Sequence, residues 1–273
     1  MARAGVGSRR MCERLIEEGS VAVNGRIVRT LPVLVDPASD RIEVKGEELA
    51  VDRAARLPSL VYVMLFKPRR TMTTLDDPEG RRTVHDLVQH PSGARLFPVG
   101  RLDYDTMGLV LMTNDGELAN RLTHPRYGVH KTYRAIVKGT LSRDDVASIQ
   151  RGMHLADRKD GRTVGASRTK PATIEIVRTE RTRTILDITI SEGRNRQIWR
   201  LLAAAGCPVR KLVRIRMGPL KLKGVSMGQW RPLTSREVAA LKRAATKSTS
   251  RANSGRGAAD TGKSTRHRAR NDA

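Results

Sequence analysis

Residues 97–122 read FPVGRLDYDTMGLVLMTNDGELANRL, and the fold turns on how this stretch divides. Gly100-Arg101-Leu102-Asp103 is a glycine-led turn that ends on a carboxylate. Residues 109–112, LVLM, are a short apolar run, the pattern of a buried strand. Thr113-Asn114-Asp115-Gly116 is polar and turn-forming, and residues 117–122 read as a helix opening behind an Asn or Asp cap. Pro125 closes that helix. An acid is therefore expected on a loop fastened to an interior strand, a rigid mount for a reactive group. Spacing alone does not choose among Asp103, Asp105 and Asp115, because an aspartate in a turn is most often a cap or an Asx turn.

The run GRLDYDTMGLVLMTNDG resembles the catalytic motif of the RsuA/RluB/RluE/RluF family of ribosomal RNA pseudouridine synthases. The resemblance implies that Asp103 is the catalytic aspartate and singles it out from the other two.

Composition points the same way. The 273 residues hold 52 Lys and Arg against 28 Asp and Glu, a formal net charge of +24. Such an excess selects a polyanionic partner, nucleic acid first, and binding should fall steeply with salt. Aromatics are 3% of the chain, which argues against an extended base-stacking platform. The length accommodates one large domain or two smaller ones. No apolar run approaches the roughly 20 residues of a bilayer span, and no signal-peptide pattern opens the chain; the expected location is the cytoplasm. Cys12 and Cys207 lie far apart and make neither a disulfide framework nor a metal site. His85 and His90 lack neighbours at ligand spacing and read as structural. No metal and no cofactor are expected.

Residues 1–52 read as a first unit. Ser8 is an N-cap for a helix with Met11, Cys12, Leu15 and Ile16 on one face, and Gly19 is its C-cap. Asn24-Gly25 between two apolar triplets is a strong hairpin signal, and Ile42-Glu43-Val44 is a further short strand. ARAGVGSRR, the helix behind it and VAVNGRIV together resemble the S4 RNA-binding domain. Members usually carry another helical segment ahead of this element, whereas here Met1 abuts it; either the start lies upstream or a supporting turn is missing. The resemblance implies RNA binding, with Arg9, Arg10, Arg14 and Lys45 as candidate phosphate contacts. Gly5 and Gly7 are not a dinucleotide fingerprint, since no strand precedes them and no third glycine follows at the right spacing.

Residues 53–60 read as a linker and 61–243 as a catalytic domain. Residues 60–66 are an apolar strand halted at Lys67-Pro68, with Lys67 a candidate phosphate contact. Residues 77–80 are turn chemistry, and 83–88 suggest a short helix. Residues 131–137 begin a strand whose KTYRA element resembles the family's tyrosine motif; this implies that Tyr133 packs on an extruded base, with Lys131 nearby at the RNA. Residues 173–177 and 184–190 alternate as strands, separated by loops marked by Gly161 and Pro171. Strands with few helices and no βαβ rhythm argue for an α+β fold rather than a doubly wound sheet; the resemblance implies a mainly antiparallel mixed sheet with flanking helices.

Residues 191–200, SEGRNRQIWR, lead into a helix with Ile198, Leu201, Leu202 and Ala205 on one face and Gly206 at its end. Arg196 and Arg200 share another face. This segment resembles the family's third motif, which implies a basic residue paired with the catalytic aspartate. The family pattern reads RNRQIRR, and this chain has Trp199 where that arginine stands. The role then passes to Arg196 or Arg200. Arg101 and Gln197 join Tyr133 as support for the site, and Arg194, Lys211 and Arg214 are counted as RNA contacts. Residues 210–222 read as a basic strand, and Ser235 opens a last helix to Lys242.

Residues 244–273 show no apolar periodicity and read as a disordered basic tail. Within it, residues 257–264 fit the Walker A pattern but lack the strand and helix that a phosphate loop needs. The combined expectation is a monomeric synthase that isomerises a uridine in ribosomal RNA of the large subunit. The alternative is an RNA-binding protein of the same fold, weakened as an enzyme, acting in ribosome assembly.

Overall fold

One cap and one turn shape the opening of the chain. In the computed structural model, Ser8 Oγ accepts the amide of Met11 at 3.2 Å and starts α1 (Arg9–Glu17). Gly19, at φ +74°, turns the chain out of it. Cys12, Leu15 and Ile16 face the core, but Met11 does not: it is 42% exposed. It lies back over Gly7, where an added Cβ would sit 2.9 Å from its sulfur. Strands β1 (Val21–Val23) and β2 (Arg26–Val28) form a hairpin whose two turn residues, Asn24 and Gly25, both have positive φ, the geometry of a two-residue primed turn. β3 (Ile42–Val44) pairs on the other side of β1, and β4 (Glu47–Glu48) pairs with β3. Leu15, Ile16, Val21 and Ile42 make the small core.

The structure describes residues 1, 4, 6–36, 39–49, 59–159 and 162–253. It divides into two units, Met1–Ser59 and Leu60–Ala273. Most of the expected linker, Gly161, and residues 254–273 with the Walker-like run lie outside the described residues.

The second unit is built on one nine-stranded sheet. At its centre lies β7 (Met107–Thr113), buried at every position. It pairs antiparallel with β5 (Tyr62–Lys67) and β6 (Phe97–Pro98), and parallel with β13 (Val209–Met217). Beyond β13 come β8 (Lys131–Lys138), β12 (Arg183–Ile190) and β11 (Thr173–Glu180), all antiparallel. β14 (Leu220–Lys221) pairs with β13, and β15 (Trp230–Pro232) lies on the far side of β5. A separate hairpin, β9 (His154–Lys159) with β10 (Arg162–Arg168), stands off this sheet.

Strand alternation gives the sheet two apolar faces. Val63, Leu65, Val110, Met112, Ala135, Leu186 and Leu212 face one core, closed by α4 (Arg143–Arg151) and α5 (Gln197–Ala204) through Ile149, Ile198, Leu201 and Leu202. Met64, Leu109, Leu111 and Met217 face the other, closed by α3 (Gly116–Thr123) and α6 (Ser235–Asn253) through Leu118, Leu122, Leu241 and Ala245. The short α2 (Val84–Leu87) opens on a Thr83/Asp86 capping box. α6 runs to Asn253, past the Lys242 at which the sequence reading ended it. Ala244 and Ala245 are strong helix formers, and Ala245 is fully buried against the second core.

Gly108 sets the spacing at the centre of the sheet. Its φ is +115°, and a Cβ there would fall 2.4 Å from the carbonyl oxygen of Arg214. Only glycine lets β7 approach β13 this closely.

Candidate active site

The three aspartates left open by spacing have separate fates. Asp115 caps α3: its Oδ1 accepts the Leu118 amide at 3.0 Å and its Oδ2 accepts the Tyr62 hydroxyl at 2.7 Å. Asp105 lies 3.5 Å from the guanidinium of Arg69. Asp103 lines a cleft of about 640 Å³ and is half-buried. Its carboxylate has no direct hydrogen bond or ion pair among the described residues.

The backbone around Asp103 is held on both sides. Gly100, at φ +73°, starts the turn. Thr73 Oγ1 donates to the Leu102 carbonyl at 2.7 Å and accepts the Leu102 amide at 3.2 Å. The Thr106 amide donates to the Asp103 carbonyl at 3.0 Å, just before β7 begins. Lys67, at the end of β5, closes the turn from below. Its ammonium donates to the carbonyls of Thr106 at 2.9 Å, Pro68 at 3.1 Å and Tyr104 at 3.4 Å.

This placement corrects two expectations. Lys67 was taken for a phosphate contact, but it is fully buried, and its cation is occupied by the loop that carries the acid. Burial pulls its pKa down to about 8, against the opposing pull of Asp103 and Asp105. Arg214, also expected at the RNA, is 1% exposed; its Nε donates to the Leu109 carbonyl at 2.7 Å, and its Nη2 is buried with no hydrogen-bond partner among the described residues. Both side chains are enclosed by long-range strand pairing, which a reading of local charge pattern does not see. Lys131 is half-buried, and burial lowers its pKa to about 8 as well.

Burial pushes the Asp103 carboxyl up from its ordinary value. Arg196, then Arg101, then Lys67 oppose the rise, while Asp105 adds to it. Arg196 is the N-cap of α5 at φ +46° and ψ 35°, a left-handed conformation unusual for arginine. Its guanidinium lies 4.9 Å from the centre of the Trp199 ring. The Trp199 Nε1–H donates to Thr106 Oγ1 at 3.1 Å. Arg200 does not reach the cleft: its guanidinium donates to the Ala156 carbonyl on β9. Of the two arginines left open, the structure brings Arg196 to Asp103.

Tyr133, on β8, is 8% exposed and lines the same cleft, with Leu102, Ile190 and Leu212. Gln197 is buried, donating to Glu192 at 2.7 Å and accepting the Arg194 amide at 3.1 Å, so it braces the turn before α5. Arg194 turns inward to Ser167 and the Arg168 carbonyl on β10. Arg101 and Lys211 are exposed, as are Arg9, Arg10, Arg14 and Lys45 on the first unit. Sequence reading missed the cleft wall from Met72 to Thr74 and from Asp76 to Pro78. It also missed Thr73 and Thr106, whose hydroxyls tie that wall and α5 to the acid; short polar loop residues carry no periodic signal. Among the described residues no group of three His, Cys, Asp or Glu side chains is placed to hold a metal, and no helix is long and apolar enough to cross a membrane.

Known proteins resemble this chain in sequence and in fold. The family model described as RNA pseudouridylate synthase matches residues 61–204, and that of the S4 domain matches residues 1–42. The chain is 43% identical over 245 residues to an uncharacterized RNA pseudouridine synthase of Aquifex aeolicus, covering 89% of this chain and 92% of that protein. It is 43% identical over 242 residues to ribosomal large subunit pseudouridine synthase B of Bacillus subtilis, covering 89% and 93%. A crystal structure of a pseudouridylate synthase matches with a TM-score of 0.61 at 31% identity, over 86% of this chain and 94% of that one.

Proposed function

The chain belongs to the RNA pseudouridylate synthase family, and from that premise we propose that it isomerises a specific uridine in large-subunit ribosomal RNA with Asp103 as the reacting acid. The observation that carries this reading is the half-buried Asp103 carboxylate, without a direct hydrogen bond or ion pair among the described residues and sharing a cleft with Tyr133. The large-subunit assignment leans on the likeness to the Bacillus subtilis protein.

In the reaction the bond from ribose C1′ to uracil N1 breaks, the base turns, and C1′ bonds to C5. The C5 proton leaves and N1 gains one. Nothing is oxidised and no group is lost, so the chemistry asks for a carboxylate in a water-poor cleft and no redox carrier. The uridine must first leave its stack, at a cost of a few kcal/mol. Tyr133 packs against the extruded base on the cleft floor. Arg196 and Arg101 favour the ionised acid against the burial that opposes it. The exposed cations Arg9, Arg10, Arg14, Lys45 and Lys211 contact phosphates and set register. RNA loop shape and splayed bases supply specificity, since A-form helices hide their major-groove edges.

The test is pseudouridine mapping of ribosomal RNA in cells lacking the protein, complemented with wild type or Asp103→Asn. One large-subunit site should vanish on deletion, return with wild type, and stay absent with Asp103→Asn. A site restored by Asp103→Asn removes the acid's role; no missing site leaves only RNA binding.

A further inference from the structure

The contacts around Asp103 close on themselves. The Asp103 carbonyl accepts the Thr106 amide at 3.0 Å. Thr106 Oγ1 accepts the indole N–H of Trp199 at 3.1 Å. One face of that indole lies 4.9 Å beneath the Arg196 guanidinium. Arg196, in turn, lines the same cleft as Asp103 and is the foremost of the cations that counter burial of its carboxyl. We propose that Trp199 is a positioning residue for this reaction, holding Arg196 toward the acid while its indole nitrogen anchors the acid's turn. The inference rests on Asp103 being the reacting group.

Three features support it. Arg196 is exposed and makes no side-chain cap bond to its own helix, so without a support its long side chain would sweep solvent. Its backbone sits at φ +46°, a conformation kept only where the surroundings over-determine it and one that clusters at functional sites. The indole offers both fixings at once: a quadrupolar face for the cation and an N–H donor on its edge. Leucine would fill part of the same space with neither. The segment's other arginines are committed elsewhere, Arg194 to Ser167 and the Arg168 carbonyl and Arg200 to the Ala156 carbonyl.

The bland reading is that Trp199 only packs against the first core cluster, which it does touch. The two readings differ in what they do to the acid. If Trp199 holds the cation, losing it raises the pH at which Asp103 ionises; if it only packs, stability falls and the pH profile stays put.

The experiment follows tritium release from C5 of uridine in a large-subunit ribosomal RNA transcript, under single-turnover conditions from pH 5 to 9. Trp199→Leu should move the acid limb up by about half a pH unit, which slows the step by about threefold at a pH on that limb, with RNA affinity little changed. Trp199→Phe keeps the stacking face and should fall between the two. Arg196→Ala should move the limb the same way, and Trp199→Leu/Arg196→Ala should be no worse than about twofold below Arg196→Ala, the non-additivity of groups acting as one unit. An unmoved acid limb in Trp199→Leu, or fully additive losses, overturns the proposal. Should Trp199→Leu fail to fold, Trp199→Phe and Arg196→Ala carry the test, and equal limbs in those two and wild type overturn it. Asp103→Asn separates the premises: undiminished release from that variant sinks the catalytic reading itself, whereas an unshifted limb beside an inactive Asp103→Asn sinks only the role of Trp199.

Discussion

Asp103 is a carboxyl group whose burial and charge partners pull in opposite directions, and its titration should report both. Because burial raises its folded pKa, the ionised form is lost at a higher pH than for a free aspartate. Single-turnover activity should therefore decline on acidification while ordinary surface carboxylates are still charged, and Arg101→Ala should move that decline further up. Lys67 titrates at the other end. Its folded pKa of about 8 lies below the unfolded value, so between about pH 8 and 10.5 the unfolded chain binds more protons, and the folded state gains relative stability as pH rises. Lys67→Met removes this dependence. Denaturant melts at pH 7 and 9.5 should show the wild-type advantage over Lys67→Met widening at the higher pH; a constant gap would mean that the ammonium is not desolvated. Neither residue was legible from local pattern. In the sequence, resemblance alone singles out Asp103; the structure shows Asp115 capping α3 and Asp105 facing Arg69. Lys67 and Arg214 read as RNA contacts because the local charge pattern does not show that distant strands bury both side chains.

The elements that carry short-range signals were readable, and those held by distant partners were not. The apolar run of β7, the aspartate cap of α3 and the Asn24-Gly25 hairpin each follow from a few adjacent residues. The α+β class followed from strand-rich alternation without βαβ rhythm. Helix α4 and the β9–β10 hairpin went unread: α4 buries only Ile149, and β10 is almost wholly exposed, so neither shows a clean apolar period. The parallel pairing of β7 with β13 depends on Gly108, a single residue with no pattern around it. Gly108→Ala forces a Cβ to 2.4 Å from the Arg214 carbonyl oxygen and should cost on the order of 2–4 kcal/mol. A urea unfolding free energy within about 0.5 kcal/mol of wild type would show that the two strands can part without consequence.

At the scale of the whole molecule, charge rather than shape governs encounter with RNA. A net charge of +24 should make the affinity for a large-subunit ribosomal RNA transcript fall linearly in log–log salt titration, by roughly 0.7 to 0.9 per phosphate contact. Replacing Arg9, Arg10 and Arg14 together by alanine should reduce the slope by about one for each true contact, while leaving the pH profile of the chemical step unmoved. An unchanged slope would remove those three from the RNA path. Turnover is expected to depend less on this surface than on the Asp103 carboxyl group in the cleft. The most direct measurement is tritium release from C5-labelled uridine in large-subunit ribosomal RNA by wild type and Asp103→Asn, with RNA affinity followed in parallel. The expected result is release by wild type, a loss of at least about a thousandfold in the variant, and equal RNA affinity; release sustained by Asp103→Asn would contradict the assignment of the acid.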